Sequence, residues 1–172
     1  YTFTLKYQLA DDDRDPDALV ERLGDAGCDD ALVGIGQPGR LALEFTREAD
    51  SADAAVRSAL ADVRSVVPSA RLIEVAPDLV GLTDVADIVG VSRQNMRKLM
   101  LAHPGSFPAP VHEGSASIWH LADVLAWLQA KGSYSLAKDV FEVARVALQV
   151  NVAKEGRRVP RSASKALEAL VG

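Results

Sequence analysis

The chain has 172 residues, of which 48% are hydrophobic and 25% charged, a composition that buries a core and excludes wholesale disorder. Its formal net charge of -5 divides unevenly: residues 1–78 hold 8 Lys+Arg against 16 Asp+Glu, net -8, and residues 79–172 hold 11 against 8, net +3. A polyanionic partner is therefore open to the second half and closed to the first. Tyr1 to Leu9 place apolar side chains at 1, 3, 5, 7 and 9, the period of a half-buried strand. A secretory leader would be continuously apolar there, and no apolar run approaches the about 18 residues of a bilayer span. Neither membrane nor export is expected, and a cytoplasmic setting is. The acidic stretch Asp11 to Asp15 ends in Asp15-Pro16, an N-cap and first-turn proline. The helix it opens turns Leu19, Val20, Leu23 and Ala26 to one face, with Gly27 past its end. Cys28, the single cysteine, allows no internal disulfide, and three histidines far apart in sequence complete no standard zinc site with it.

Ala31 to Ile35 and Leu41 to Phe45 read as two strands joined by the turn Gly36-Gln37-Pro38-Gly39, making a hairpin. Ser51 opens a second helix that buries Ala55, Val56, Ala59, Leu60, Val63 and Val67 and stops at Pro68, and Arg71 to Ala76 is a fourth strand. The order β-α-β-β-α-β matches a ferredoxin-like split βαβ domain over residues 1–78. Gly34, Gly36 and Gly39 also spell G-x-G-x-x-G. A dinucleotide site needs its last glycine to open a helix, whereas Arg40 starts a strand here, so nucleotide binding is rejected. No nucleophile with a base, and no carboxylate pair near a histidine, can be assembled. The chain reads as a non-enzyme, with no catalytic residue, cofactor or metal assigned. Its acidic residues read as a solvated face, and dimerisation, a protein partner or a small ligand stays open for the first domain.

Residues 81–100 read as two short helices around a tight turn. Thr83 is the expected N-cap, with Asp84 and Asp87 near the positive helix end; Val85, Ala86 and Val89 face inward; Gly90 supplies the turn; Ser92 caps the second helix. This is helix-turn-helix grammar, in which the opening turn of the second helix enters the major groove. Arg93, Gln94 and Asn95 are the candidate base readers, since Arg forks onto guanine and Gln or Asn onto adenine, while Arg97 and Lys98 suit phosphates. Val91, Met96, Leu99 and Met100 are expected to pack beneath. Pro108 and Pro110 break the helix, and Val111 to Glu113 pairs with Ala116 to Trp119 as a hairpin around Gly114-Ser115, a wing. A helix restarts at Leu121 to Gln129. His103 is expected at a surface turn, His112 and His120 flank the wing, and Trp119 and Trp127 anchor the core.

Residues 81–130 resemble the excisionase-like and AlpA-type phage regulators of the MerR-type winged helix-turn-helix superfamily. The resemblance rests on Leu82-Thr83-x-x-Ala86-Asp87-x-x-Gly90-Val91-Ser92, then Phe107-Pro108-x-Pro110-Val111, then Trp119 and Asp123-Val124-x-x-Trp127-Leu128. It implies double-stranded DNA binding, with the helix after Ser92 in the major groove and the wing tip near backbone or minor groove. Many such wings carry Arg or Lys; this one offers His112, Ser115, Ser117 and His120 beside Glu113.

Ser133 or Ser135 is expected to cap a helix running to about Ala153. Leu136, Val140, Val143, Ala147 and Val150 give it a 4, 3, 4, 3 seam, widened by Phe141, Ala144, Leu148 and Val152. The helix packs either on its own chain or on a second subunit; the breadth of the stripe favours a homodimer through residues 134–153. A two-fold dimer would set half-sites about 34 Å apart. Lys154 to Lys165 reads as a flexible basic stretch in which Arg157 and Arg158 lie along phosphates or serve a solubilising linker, before a short helix at Ser164 to Val171. The domains expected are 1–78, 79–131 and 132–172. The function expected is a sequence-specific, dimeric DNA-binding regulator of repressor type. An excisionase-like architectural factor and a protein-interaction adaptor without DNA binding are the alternatives.

Overall fold

The structure, a computed structural model, describes residues 1–11, 15–34, 36–132 and 134–171. Asp12 to Arg14 of the acidic stretch, Ile35 at the expected end of the second strand and the candidate cap Ser133 lie outside these. The protein is α+β, with antiparallel sheets and, among the described residues, seven helices. The first lobe runs β1 (Thr2–Gln8), α1 (Pro16–Asp25), β2 (Ala31–Gly34), β3 (Arg40–Thr46), α2 (Ala52–Val66) and β4 (Arg71–Ala76). The strands form one sheet in the order β2-β3-β1-β4, with Leu5 opposite both Leu43 and Val75.

Local chemistry sets these boundaries. The Asp15 carboxylate accepts the backbone N–H groups of Asp17 and Ala18, and the Ser51 hydroxyl accepts that of Ala54, so each helix start has its side-chain cap. Gly27 and Gly39 adopt positive φ, and Gly39 leads into β3, not into a helix. The alternate residues Phe3, Leu5 and Tyr7 of β1 and Leu41, Leu43 and Phe45 of β3 are buried under the helices, with Phe3 stacked on Phe45 at 5.3 Å between centroids. On the helices Leu19, Leu23, Val56, Ala59 and Val63 complete this core. Val20 is exposed and Leu60 half-buried, so the buried faces of α1 and α2 are narrower than the sequence spacing suggests. Cys28 is buried and free.

After β4 and the cis Ala76–Pro77 bond come β5 (Leu79–Val80), α3 (Leu82–Val89), α4 (Arg93–Ala102), β6 (His112–Glu113), β7 (Ser117–His120) and α5 (Leu121–Lys131). The short strand β5, which periodicity over two residues cannot reveal, pairs with β7, and β7 pairs with β6, giving the order β5-β7-β6. Val80, Val85, Ala86, Met96, Trp119, Leu121, Leu125 and Leu128 make a second core. Thr83 is not the cap of α3. Leu82 is already helical and packs in the core, Gly81 occupies the N-cap, and Asp84 reaches back to accept the Gly81 N–H at 2.8 Å.

Two helices complete the chain, α6 (Lys138–Gly156) and α7 (Arg161–Val171). Ser135 does not cap α6: it precedes the helix start, and Ala137 is an N-cap with no side-chain hydrogen bond. Val143, Val146 and Ala147 of α6 join the first core, while Ala144 is buried in the second and Phe141 and Leu148 pack against it. The seam expected to meet a second subunit is thus covered by the protein itself. Its breadth reflects one helix serving two cores. The expected basic tail is partly helical as well, since α7 begins at Arg161, not at Ser164. Among the described residues no helix is long and apolar enough to cross a membrane.

Candidate nucleic-acid interface

The turn between α3 and α4 is built on Gly90. It takes φ 77°, a left-handed conformation that closes α3, and Val91 then donates its N–H to the Ala86 carbonyl at 2.9 Å. Ser92 follows as the cap of α4, accepting the Asn95 N–H at 3.1 Å. The cap fixes where the helix begins and so which side chains occupy its first turn. Met96 is fully buried, and Val91, Leu99 and Met100 pack against the second core. That anchorage rolls α4 so that Arg93, Gln94, Asn95, Arg97 and Lys98 are all exposed. Among the described residues none of these five side chains makes a hydrogen bond or ion pair within the protein. Three cations and two amides therefore stand together in water, next to a helix N-terminus whose dipole also favours an anion.

The hairpin forms where expected in the chain, with His112 opposite Ile118 and Glu113 opposite Ser117. His112, Glu113 and Ser115 are exposed and Ser117 is half-buried. A side chain at Gly114 would collide with the His112 ring, at 2.6 Å from Nε2, so His112 folds over the tip. No Lys or Arg stands between His103 and His120. Trp119 is buried and donates its indole N–H to the Pro108 carbonyl at 3.0 Å, tying the proline segment to β7. Trp127 is half-buried and packs edge-on to Phe107 at 5.1 Å. His103 is no simple surface residue, because its ring lies 5.4 Å from that of Trp127.

The remaining candidates are placed elsewhere. Arg157 and Arg158 follow the C-terminal end of α6, which is packed along β4, whereas α4 is packed on α3. Arg158 is ion-paired with Glu155 at 3.0 Å.

A polar network that sequence reasoning missed joins the two lobes. Asp78 is 1% exposed. One carboxylate oxygen lies 2.7 Å from His120 Nδ1, the other accepts the Asn151 amide N–H at 2.7 Å, and its backbone carbonyl accepts the Leu121 N–H at 2.7 Å. His120 is thereby committed to the junction, away from the wing tip. Asn151 in turn accepts the Val75 N–H at 2.9 Å and donates to the Val75 carbonyl at 2.8 Å. The one sequence signal for this network is Asn151 itself, a polar residue four positions after Ala147 on an apolar stripe. In the first lobe Arg47 is buried, forked onto Asp30 at 2.7 and 3.0 Å, and bonded to Asp62 at 2.7 Å and to Ser58. The hydrogen bonds it donates to Asp30 hold its guanidinium above the ordinary arginine value, against a smaller opposing effect of burial.

Compared with known proteins, the chain matches no family model, no curated protein and no solved structure.

Proposed function

We propose that this protein is a non-enzymatic, sequence-specific double-stranded DNA-binding regulator of repressor type. In this reading it acts in the cytoplasm as a two-fold dimer. The first lobe, read as ferredoxin-like from its β-α-β-β-α-β order and its β2-β3-β1-β4 sheet, supplies dimerisation or partner binding. Residues 79–131 are read as a winged helix-turn-helix of the excisionase-like, AlpA type, supported by the α3–α4 pair, the Gly90 turn and the three-stranded β5-β7-β6 sheet.

The observation that carries the proposal is the exposed and unpaired opening of α4 above a buried underside. Arg93, Arg97 and Lys98 are left free for phosphate or base edges, clustered on one turn-anchored helix. In the proposed mechanism Arg97 and Lys98 position the helix on the backbone while Arg93, Gln94 and Asn95 select sequence. Ser92 contributes through its cap, and His112, Ser115 and Ser117 through minor wing contacts. Arg157 and Arg158 take at most a remote phosphate. The exposed Glu113 on a wing without cations is the observation that favours the second reading, a protein adaptor that does not bind DNA.

Equilibrium binding to a preferred duplex and to random duplex separates the roles. Arg93→Ala or Asn95→Ala is expected to lose about 1–3 kcal/mol on the preferred site and little on random DNA, and Arg97→Ala to weaken both. Equal losses on both duplexes for Asn95→Ala would remove base reading.

A further inference from the structure

Leu101 of α4 is 60% exposed, more than Leu79, Ile88 or Val111, the other exposed large hydrophobic residues of the second lobe. Its place on the helix sets it apart. At about 100° per residue, Leu99, Met96 and Met100, which touch the second core, span about 140–240° from Gln94, and Leu101 returns to within about 20° of it. Arg97 and Lys98 lie on either side of that line, about 60° and 40° from Gln94. Leu101 therefore stands on the crest of the exposed face, between two cations. The turn that carries it is held in place: the Met100 carbonyl accepts the His103 N–H at 3.2 Å, and the His103 ring packs 5.4 Å from that of Trp127.

These surroundings select the partner. A protein surface closing on Leu101 would have to desolvate Arg97 and Lys98, which have no partner among the described residues, and would find no second large apolar side chain exposed on α4. A major groove satisfies both features. Phosphates rim it for the two cations, and its floor offers one apolar group among the hydrogen-bonding ones, the 5-methyl of thymine. We propose that Leu101 is a specificity-determining residue that reads thymine through this methyl group, with α4 lying along the groove and not end-on. The proposal rests on the DNA-binding reading and adds to it a base and a direction. Gln94 and Leu101 are seven residues and about 10 Å apart along the helix axis, so the thymine lies roughly two or three base-pair steps from the pair that Gln94 contacts. The contact takes leucine and methyl surface out of water together and needs no hydrogen bond.

Deoxyuridine substitution provides the test, since it deletes the methyl and leaves the hydrogen-bonding edge of thymine unchanged. In the duplex that the full chain selects from a random library, each thymine is replaced in turn, and equilibrium affinity is measured for the wild type, Leu101→Ala, Leu101→Met and Gln94→Ala. One replacement should weaken wild-type binding about fourfold, the worth of one buried methyl, and should change Leu101→Ala binding by less than about twofold. Leu101→Met, which keeps an apolar side chain of similar volume, should retain the dependence. The responding thymine should lie roughly two or three base pairs from the position whose preference Gln94→Ala relaxes. Far-UV circular dichroism and Tm of Leu101→Ala should match the wild type, because the side chain is exposed and alanine favours the helix. A selected duplex in which no thymine responds, or in which the response persists undiminished in Leu101→Ala, would overturn the proposal and leave the DNA-binding reading standing. Failure to select any duplex would overturn both.

Discussion

At the residue scale the two ends of the protein use charge in opposite ways. Arg47 is bonded on every side, whereas the α4 cations are bonded to nothing. Hydrogen bonds from Arg47 hold the Asp30 carboxyl below its ordinary value, burial opposing them in part. A carboxyl with a lowered folded-state pKa stabilises fully above the ordinary range near about pH 4, and that contribution is lost as pH falls through the lowered value. Removing the guanidinium leaves Asp30 and Asp62 partly exposed and unpaired, so Arg47→Met should cost about 2–4 kcal/mol, less than a wholly buried pair. It should also flatten the fall of Tm with acid below about pH 4. Thermal melts from neutral pH down to about pH 2.5 check this; a variant melting profile parallel to the wild type over that window would show that Asp30 is not held by Arg47. The candidate DNA-contacting residues could be read from sequence because a cap, a turn glycine and a helical period are local. The roles of Asp78 and Arg47 could not, since their partners lie in other elements and no spacing announces them, and Asn151 stood out only as a polar residue on an apolar stripe.

At the scale of elements, the strands and both helices of the first lobe follow directly from alternation and capping. The misplaced boundaries share one cause: packing extended or shortened a helix beyond its best capping residue. Leu82 is needed in the second core, so α3 begins before Thr83 with a glycine cap. α6 begins after both serines, on an alanine cap, because Leu136 before it already packs against the second core. Gly90 shows the opposite case, in which local chemistry decides. A Cβ there meets nothing within 4 Å, but φ is +77°, so Gly90→Ala should cost about 1–2 kcal/mol through backbone strain alone. Gly105→Ala, equally uncrowded and without a positive φ, should change stability little. Urea denaturation of the two variants is the comparison to make. Equal midpoints would mean that the turn does not need its left-handed residue, and with it the fixed start of α4.

At the scale of the molecule, the charge division of the sequence corresponds to two cores clasped by α6. Its inner face closes the β4 edge through Asn151 and Lys154 and buries Asp78 at the junction, so the lobes meet through a satisfied polar network as well as apolar packing. Periodicity showed that α6 has too much apolar surface for one neighbour, but could not show that both neighbours belong to the same chain. With α6 committed internally and the β4 edge closed, the opening of α4 keeps exposed cations that have no partner among the described residues. The most direct measurement of the proposed DNA contact is selection of bound duplexes from a random library at a stated salt concentration, followed by titration of the selected duplex with salt. The account predicts one enriched short sequence and an affinity that falls steeply between about 50 and 200 mM salt as counterions are released. No enriched sequence, with affinity absent or flat across that range, would contradict it.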